Sequence, residues 1–167
     1  MTRWLDDEEQ ATWRRFAAVA MLLPTALESQ LQRDSGLTHF GYWVLAMLSE
    51  SPGRSRRMSE LAALAHGSQS RLSHTVAKLE ERGFVRRERV GDDGRGFSAV
   101  LTDAGYQTVV AAAPGHVAEV RRLVFDQLSR EQVRALDAIS EAILARLGPG
   151  ASPDADCGLT AMPAAEN

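Results

Sequence analysis

From Trp13 onward the apolar positions step by three and four residues through Phe16, Ala20, Leu23, Leu27 and Leu31. That is the stripe of a helix packed along one side. Asp6, Asp7, Glu8 and Glu9 precede it, where the positive end of a helix dipole favours acids, so a long helix is expected over 6–34, ended by Gly36. Pro24 lies inside it and lacks an N–H, which predicts a kink or break near Met21 to Leu23. Thr38 is placed to cap a second helix from His39 to about Glu50. Tyr42, Trp43, Val44, Leu45, Met47 and Leu48 make it apolar nearly all round, as in a buried helix. Ser51-Pro52-Gly53 is a turn. Towards the other end Thr102 caps a helix starting at Asp103, and Pro114-Gly115 is expected to kink or break it. Val117, Val120, Leu123, Val124 and Leu128 continue its apolar face. Ser129-Arg130-Glu131-Gln132 has the form of a capping box, and Val133, Leu136, Ile139, Ile143 and Leu147 follow as another seam. Beyond Gly148-Pro149-Gly150 large apolar residues are few, and 148–167 reads as a disordered tail.

The middle of the chain is patterned differently. Ser59 to Ala65 reads as a short helix with Ser59 as its cap. Gly67 can take the left-handed conformation that ends a helix, and Ser68 can cap the next one. That helix, Gln69 to Arg82, keeps Leu72, Val76 and Leu79 on one face and turns Ser70, Arg71, His74 and Lys78 away from it; Gly83 stops it. Phe84 to Val90 and Phe97 to Leu101 read as two strands, joined by the turn Gly91-Asp92-Asp93-Gly94-Arg95-Gly96. The fold class is therefore mainly α with a small β-hairpin wing. Two helices at a tight Gly-containing turn, then a hairpin tipped by an arginine, form a winged helix-turn-helix, which suits a DNA groove.

Charge changes the picture. The 167 residues carry a net −3, which alone would argue against nucleic acid. Between Gly53 and Phe97, however, ten Lys and Arg face six Asp and Glu, while the remainder has nine basic and sixteen acidic residues. A basic segment on an acidic body can still attract phosphate, because the local face decides. The competing reading is an arginine-rich solvated surface.

The order of these segments resembles the MarR (multiple antibiotic resistance regulator) transcription factors. The residues that carry the resemblance are Met58-Ser59-Glu60-Leu61-Ala62, Ser70-Arg71-Leu72-Ser73-His74-Thr75-Val76, and Leu79-Glu80-Glu81-Arg82-Gly83-Phe84-Val85-Arg86-Arg87. Asp93-Gly94-Arg95 leading to Leu101-Thr102-Asp103-Ala104-Gly105 completes them, and the flanking helices extend the match over about residues 6 to 147. The resemblance implies a homodimer with intertwined terminal helices. The chain then divides into an N-terminal dimerisation helix at 1–36, a DNA-binding region at 37–102, C-terminal dimerisation helices at 103–147 and the tail. Independently, the two ends carry more apolar stripe than one small helix-turn-helix can cover. A two-fold dimer with two recognition helices selects a palindromic operator in double-stranded DNA. A monomer with an intramolecular bundle is the competing arrangement.

Arg71 is the strongest base-reading candidate, since its fork matches guanine O6 and N7. Gln69, near the helix start, could reach a phosphate or an adenine edge. His74 stands open between contact and plain surface, and Thr75 between contact and packing. Arg54, Arg56 and Arg57 stand open between phosphate contact and a solvated loop. Ser68, Ser70, Ser73, Lys78 and Arg86 complete the DNA-contacting set, with Arg95 in the minor groove. Asp93 would repel phosphate, so bonding a turn N–H or an arginine suits it better. A winged helix used for protein–protein contact would carry an apolar outer face, which this helix lacks. No catalytic role is expected. His39, His66, His74 and His116 are not at metal-ligand spacing, and no phosphate loop or nucleophile elbow appears, so neither metal nor cofactor is expected. The absence of a bilayer-long apolar run, the acidic start and the single cysteine are together those of a cytoplasmic protein.

What switches such a protein is a separate question. The resemblance implies a small-molecule site between the dimer helices and the DNA-binding region, which Trp13, Phe16, Tyr42, Trp43 and Met47 could line; core packing is the competing job for each. Cys157 is a poor redox sensor, because Asp154 and Asp156 disfavour its thiolate and the tail has no mechanical hold on the recognition helix.

Overall fold

The computed structural model describes residues 1–65, 67–90 and 96–147. His66, the wing turn with Asp93 and Arg95, and the tail with Cys157 lie outside the described residues. Among them six helices and a three-stranded antiparallel sheet follow one another. The order is α1 (Asp7–Ser35), α2 (His39–Glu50), a 3₁₀ turn (Pro52–Arg54), β1 (Ser55–Arg57), α3 (Met58–Leu64) and α4 (Gln69–Glu81). Then come β2 (Val85–Val90), β3 (Gly96–Leu101), α5 (Asp103–Leu123), a second 3₁₀ turn (Phe125–Gln127) and α6 (Arg130–Leu147). In the sheet β3 is central, with β1 and β2 at its sides.

Helix ends follow local side-chain chemistry. At the start of α1 the Asp6 carboxylate accepts from the Glu9 N–H, while the Glu9 carboxylate accepts from the Asp6 N–H. This capping box satisfies two donors that a helix start leaves orphaned. Thr38, Ser68 and Thr102 accept from the N–H groups of Gly41, Arg71 and Gly105, and Ser129 and Gln132 form the expected box before α6. Gly36 ends α1 with a left-handed φ of 64°, and Gly83 follows α4 at 74°.

Four local expectations are corrected. Neither proline breaks its helix: α1 runs unbroken through Pro24 and α5 through Pro114. Both prolines lie on the exposed side of their helices, and each removes only one backbone hydrogen bond from a long helix. Gly115 is no terminator either. It lies inside α5 facing α1, where a Cβ would stand at ordinary contact distance, 3.4 Å from Gln30 Nε2 and 3.5 Å from Asp34 Oδ2. Helix α3 begins one residue before Ser59, with Arg57 at the cap position and no side-chain cap bond. Gly67 is not among the left-handed residues. Its use is steric, since a Cβ would meet Phe40 Cζ at 2.9 Å. Finally, Ser55–Arg57 is a strand and not a loop, pairing with Ser98–Val100 of β3.

The core gathers Leu31, Leu37, Val44, Leu45, Leu48, Leu61, Leu72, Val76, Leu79, Val85, Leu101 and Val109. Helix α4 therefore buries the face that its spacing predicts, with Leu72 and Val76 wholly enclosed. The end of α4, the start of β2, the end of β3 and the start of α5 meet at Thr102. Its hydroxyl lies 2.7 Å from the Gly83 carbonyl and 3.1 Å from the Phe84 carbonyl, while its own N–H donates to Phe84 at 3.0 Å. Gly105, one turn into α5, faces the same Phe84 carbonyl so closely that any Cβ would collide with backbone.

A second buried knot joins α1, α2 and α5. His116, 3% exposed, packs against Tyr42 with its ring tilted by 51° and 4.5 Å between centroids, and lies 5.7 Å from His39. Gln30 donates through Nε2 to Asp34, which turns its Oε1 towards His116 Nδ1 at 3.3 Å. An amide oxygen only accepts, so Nδ1 carries the ring hydrogen. Burial, with the neighbouring His39 second, pushes His116 down to about 4. The Glu28 carboxylate accepts from the His39 N–H at 2.6 Å and ties α1 to the start of α2.

Two outcomes are expected. Gly105→Ala should cost about 1–3 kcal/mol through overpacking against the Phe84 carbonyl, read as a lower unfolding temperature. For His116, the unfolded chain takes up a proton near 6.5 and the folded one only near 4. Protonation therefore favours unfolding, and stability should fall by about 3 kcal/mol as pH drops through that window. His116→Gln cannot titrate, and denaturant melts at pH 7 and pH 4.5 should show a flatter pH dependence.

Candidate nucleic-acid interface

Helix α4 turns one continuous polar face to solvent. Gln69, Ser70, Arg71, Ser73, His74 and Lys78 are all exposed along it, and Thr75 is half-buried at its flank, which suits packing. Ser68 spends its hydroxyl on the Arg71 N–H at 3.1 Å, so this candidate shapes the helix start first. The helix is held from behind at three places. Its apolar face joins the core; Glu80 takes the Arg87 backbone N–H and side chain; Arg82 donates to the Gly36 carbonyl at 2.8 Å. Those hydrogen bonds from Arg87 hold the Glu80 carboxyl below its usual range. A reading face fixed this way meets a groove in one orientation, as recognition by a rigid element requires.

The loop arginines are less free than their sequence suggests. Arg54 has a left-handed φ of 53°, rare for a residue with a side chain. That turn folds its guanidinium back over the Tyr106 ring at 3.7 Å and onto Asp103 at 3.2 Å. Arg56 donates to Ser51 Oγ at 2.9 Å, and Ser51 in turn donates to the Met47 carbonyl, so Arg56 secures the end of α2. Arg57 is exposed, with no ion pair among the described residues, and remains available to phosphate.

On the wing the strand period separates neighbours. Val85 is buried towards α4, so Arg87 and Arg89 share its face while Arg86 lies on the other. Arg86 pairs with Glu88 at 2.7 Å on that far face, and the structure does not bring it to the side of α4. Arg89 sits directly across from Phe97, its guanidinium 6.0 Å from the ring. Phe97 and Arg87 close one side of a hollow of about 220 Å³ whose other walls are Met58, Ser59, Gln69, Leu72 and Ser73. Arg87, Arg89, Phe97 and Ser59 thus lie on the same side as the polar face of α4, and none of them is in the sequence-based set. Placing the inward phase of β2 on Val85 would have found the two arginines. Arg95 falls outside the described residues.

The aromatic and Met candidates for a ligand site do not form one cluster. Trp13 and Phe16 pair at 6.2 Å on the exposed early part of α1. Trp13 precedes Leu31 by eighteen residues, about 27 Å along a helix. Tyr42 is buried, while Trp43 and Met47 are half-buried on α2. Among the described residues no group of His, Cys, Asp and Glu is placed to hold a metal ion, and no helix is long and apolar enough to cross a membrane.

A sequence model of the MarR family matches residues 35–96. Among solved structures, the DNA complex of Sco3205, a MarR family transcriptional regulator from Streptomyces coelicolor, is 49% identical. It aligns over 87% of this chain and 95% of its own, with a TM-score of 0.85. AbsC, another MarR family regulator from the same organism, is 45% identical over 87% of this chain and 98% of its own, at 0.83. The transcriptional regulator BldR from Sulfolobus solfataricus is 26% identical, over 84% and 97%, at 0.71. No curated protein matches.

Proposed function

The chain belongs to the MarR family of transcriptional regulators, and from that premise we propose that it is a repressor acting as a homodimer on a pseudo-palindromic operator. In this reading α4 enters the major groove and Arg95 the minor groove, and bound dimer excludes competing proteins from the operator. The observation that carries it is the pairing of a polar, rigidly held α4 with apolar helices that one chain leaves bare. Helix α6 has no buried residue at all. Leu136, Ile139, Ile143, Leu144 and Leu147 are exposed on it, and Trp13, Phe16, Val19, Met21 and Leu22 are exposed on α1. Segments 1–36 and 103–147 thus present seams that a second copy would bury, setting two recognition helices about one helical turn of DNA apart. The polar face of α4 disfavours a protein-docking role for the same helix.

Release by a small ligand completes the proposal. Helix α2 touches α1, α4 and α5. A compound wedged against Trp43 and Met47 would therefore shift the recognition helix through one rigid element. Trp13 and Phe16 serve the dimer seam instead.

Selection of binding sites from random duplex DNA should return a two-fold symmetric sequence; an asymmetric site, or sedimentation as a monomer at micromolar concentration, would overturn the proposal. On the selected site Arg71→Ala should cost about 1–3 kcal/mol and relax base preference. Arg95→Ala should weaken binding evenly across sequences and reduce the salt slope by about one. Titrations against salt on selected and scrambled duplexes separate the two, and identical effects would show the roles to be wrongly assigned.

A further inference from the structure

Three arginines lie close over aromatic rings: Arg54 on Tyr106 at 3.7 Å, Arg71 on Phe40 at 4.2 Å and Arg82 on Phe84 at 4.6 Å. Arg54 and Arg82 also donate to protein oxygens, to Asp103 and to the Gly36 carbonyl. The Arg71 side chain has no hydrogen-bond or carboxylate partner among the described residues; its ring contact is its whole anchorage. A guanidinium held over a ring spends none of its N–H groups on an oxygen acceptor, whereas one held by a carboxylate has already used them.

The ring that carries Arg71 is itself fixed. Phe40 lies in the first turn of α2, half-buried, and packs on the core. Its far edge presses into the turn between α3 and α4, where a Cβ on Gly67 would stand 2.9 Å from Cζ and 3.2 Å from Cε2. The notch at Gly67 therefore seats the ring, and the ring's face meets the guanidinium one turn into α4.

We propose that Phe40 is a specificity-determining positioning residue, whose ring holds the Arg71 guanidinium at the surface with its donor edge free to read a guanine. Phe40 does not touch DNA in this account. It removes the rotamer freedom that a long exposed side chain would otherwise lose on binding, and it leaves every donor unspent. The inference rests on the reading of Arg71 as a base contact given above.

The test compares Phe40→Tyr, Phe40→Leu, Arg71→Ala and the Phe40→Leu/Arg71→Ala double variant, all as full-length chains. Each is titrated against the selected operator and against the same duplex with the Arg71-dependent base pair exchanged. The ratio of the two affinities is the readout, because any loss of folded protein cancels in it. Phe40→Tyr keeps the π face and should keep the wild-type ratio. Phe40→Leu fills the notch without a π face and should lower the ratio by roughly twofold to fivefold, the scale of an exposed cation–π contact. In the double variant Phe40→Leu should add nothing to Arg71→Ala. A wild-type ratio in Phe40→Leu, with Arg71→Ala impaired, overturns the role of Phe40 alone. Loss of the ratio in both Phe40 variants would assign the effect to packing shape and also overturn it. An unchanged ratio in Arg71→Ala at every operator position overturns the base contact itself, and the inference falls with it.

Discussion

One threonine fixes the hairpin to α4. The Thr102 side chain lies against two successive carbonyls, Gly83 and Phe84, and caps α5 through the Gly105 N–H. Those carbonyls belong to the tight reversal where α4 gives way to β2. Were that reversal to open, α4 would lose its fixed angle to the wing and α5 its starting point together. The glycine at 105 is part of the same device, because the first turn of α5 approaches the Phe84 carbonyl too closely for any side chain. A few atoms thus set the relative placement of α4, the hairpin and the helix that leaves towards the apolar end of the chain.

Much of this was legible residue by residue. Thr38, Ser68, Thr102 and Ser129 cap as their positions predict, and Leu72, Val76 and Leu79 face inward as their spacing predicts. These are local effects, decided within one turn of helix. The errors arose where the outcome depends on something distant. Pro24 and Pro114 break neither helix, because each removes one hydrogen bond from an element of 29 or 21 residues that the other bonds carry on. Strand β1 escaped notice because three polar residues have no alternation of their own and become a strand only beside β3. The strand face that each wing arginine occupies was not legible, because strand phase is fixed by which neighbour is buried. The stack of Arg71 on Phe40 spans thirty-one positions, and no periodicity connects them.

The basic segment also divides its charges differently from what counting suggests. Arg54, Arg56, Arg82, Arg86 and Arg87 are engaged with protein oxygens, holding helix ends and strands together. Arg57, Arg71 and Lys78 have no such engagement among the described residues. Exposed pairs such as Arg86 with Glu88 contribute little to stability by themselves. Their effect is to fix where positive charge sits, so that the segment presents a patterned surface and not a diffuse cloud.

Helix α6 has eighteen residues and buries none of them within its own chain. An isolated helix of that length is marginal in water, since most helical stability in proteins comes from tertiary packing. In the proposed dimer its order would come from the other copy, and mass action would then govern it: dilution would melt it and crowding of copies would restore it. An unpaired chain would thus hold a packed winged helix-turn-helix and an unpacked far end. The number of copies in the cell would set the moment at which it becomes competent, giving the regulator a threshold in its own abundance.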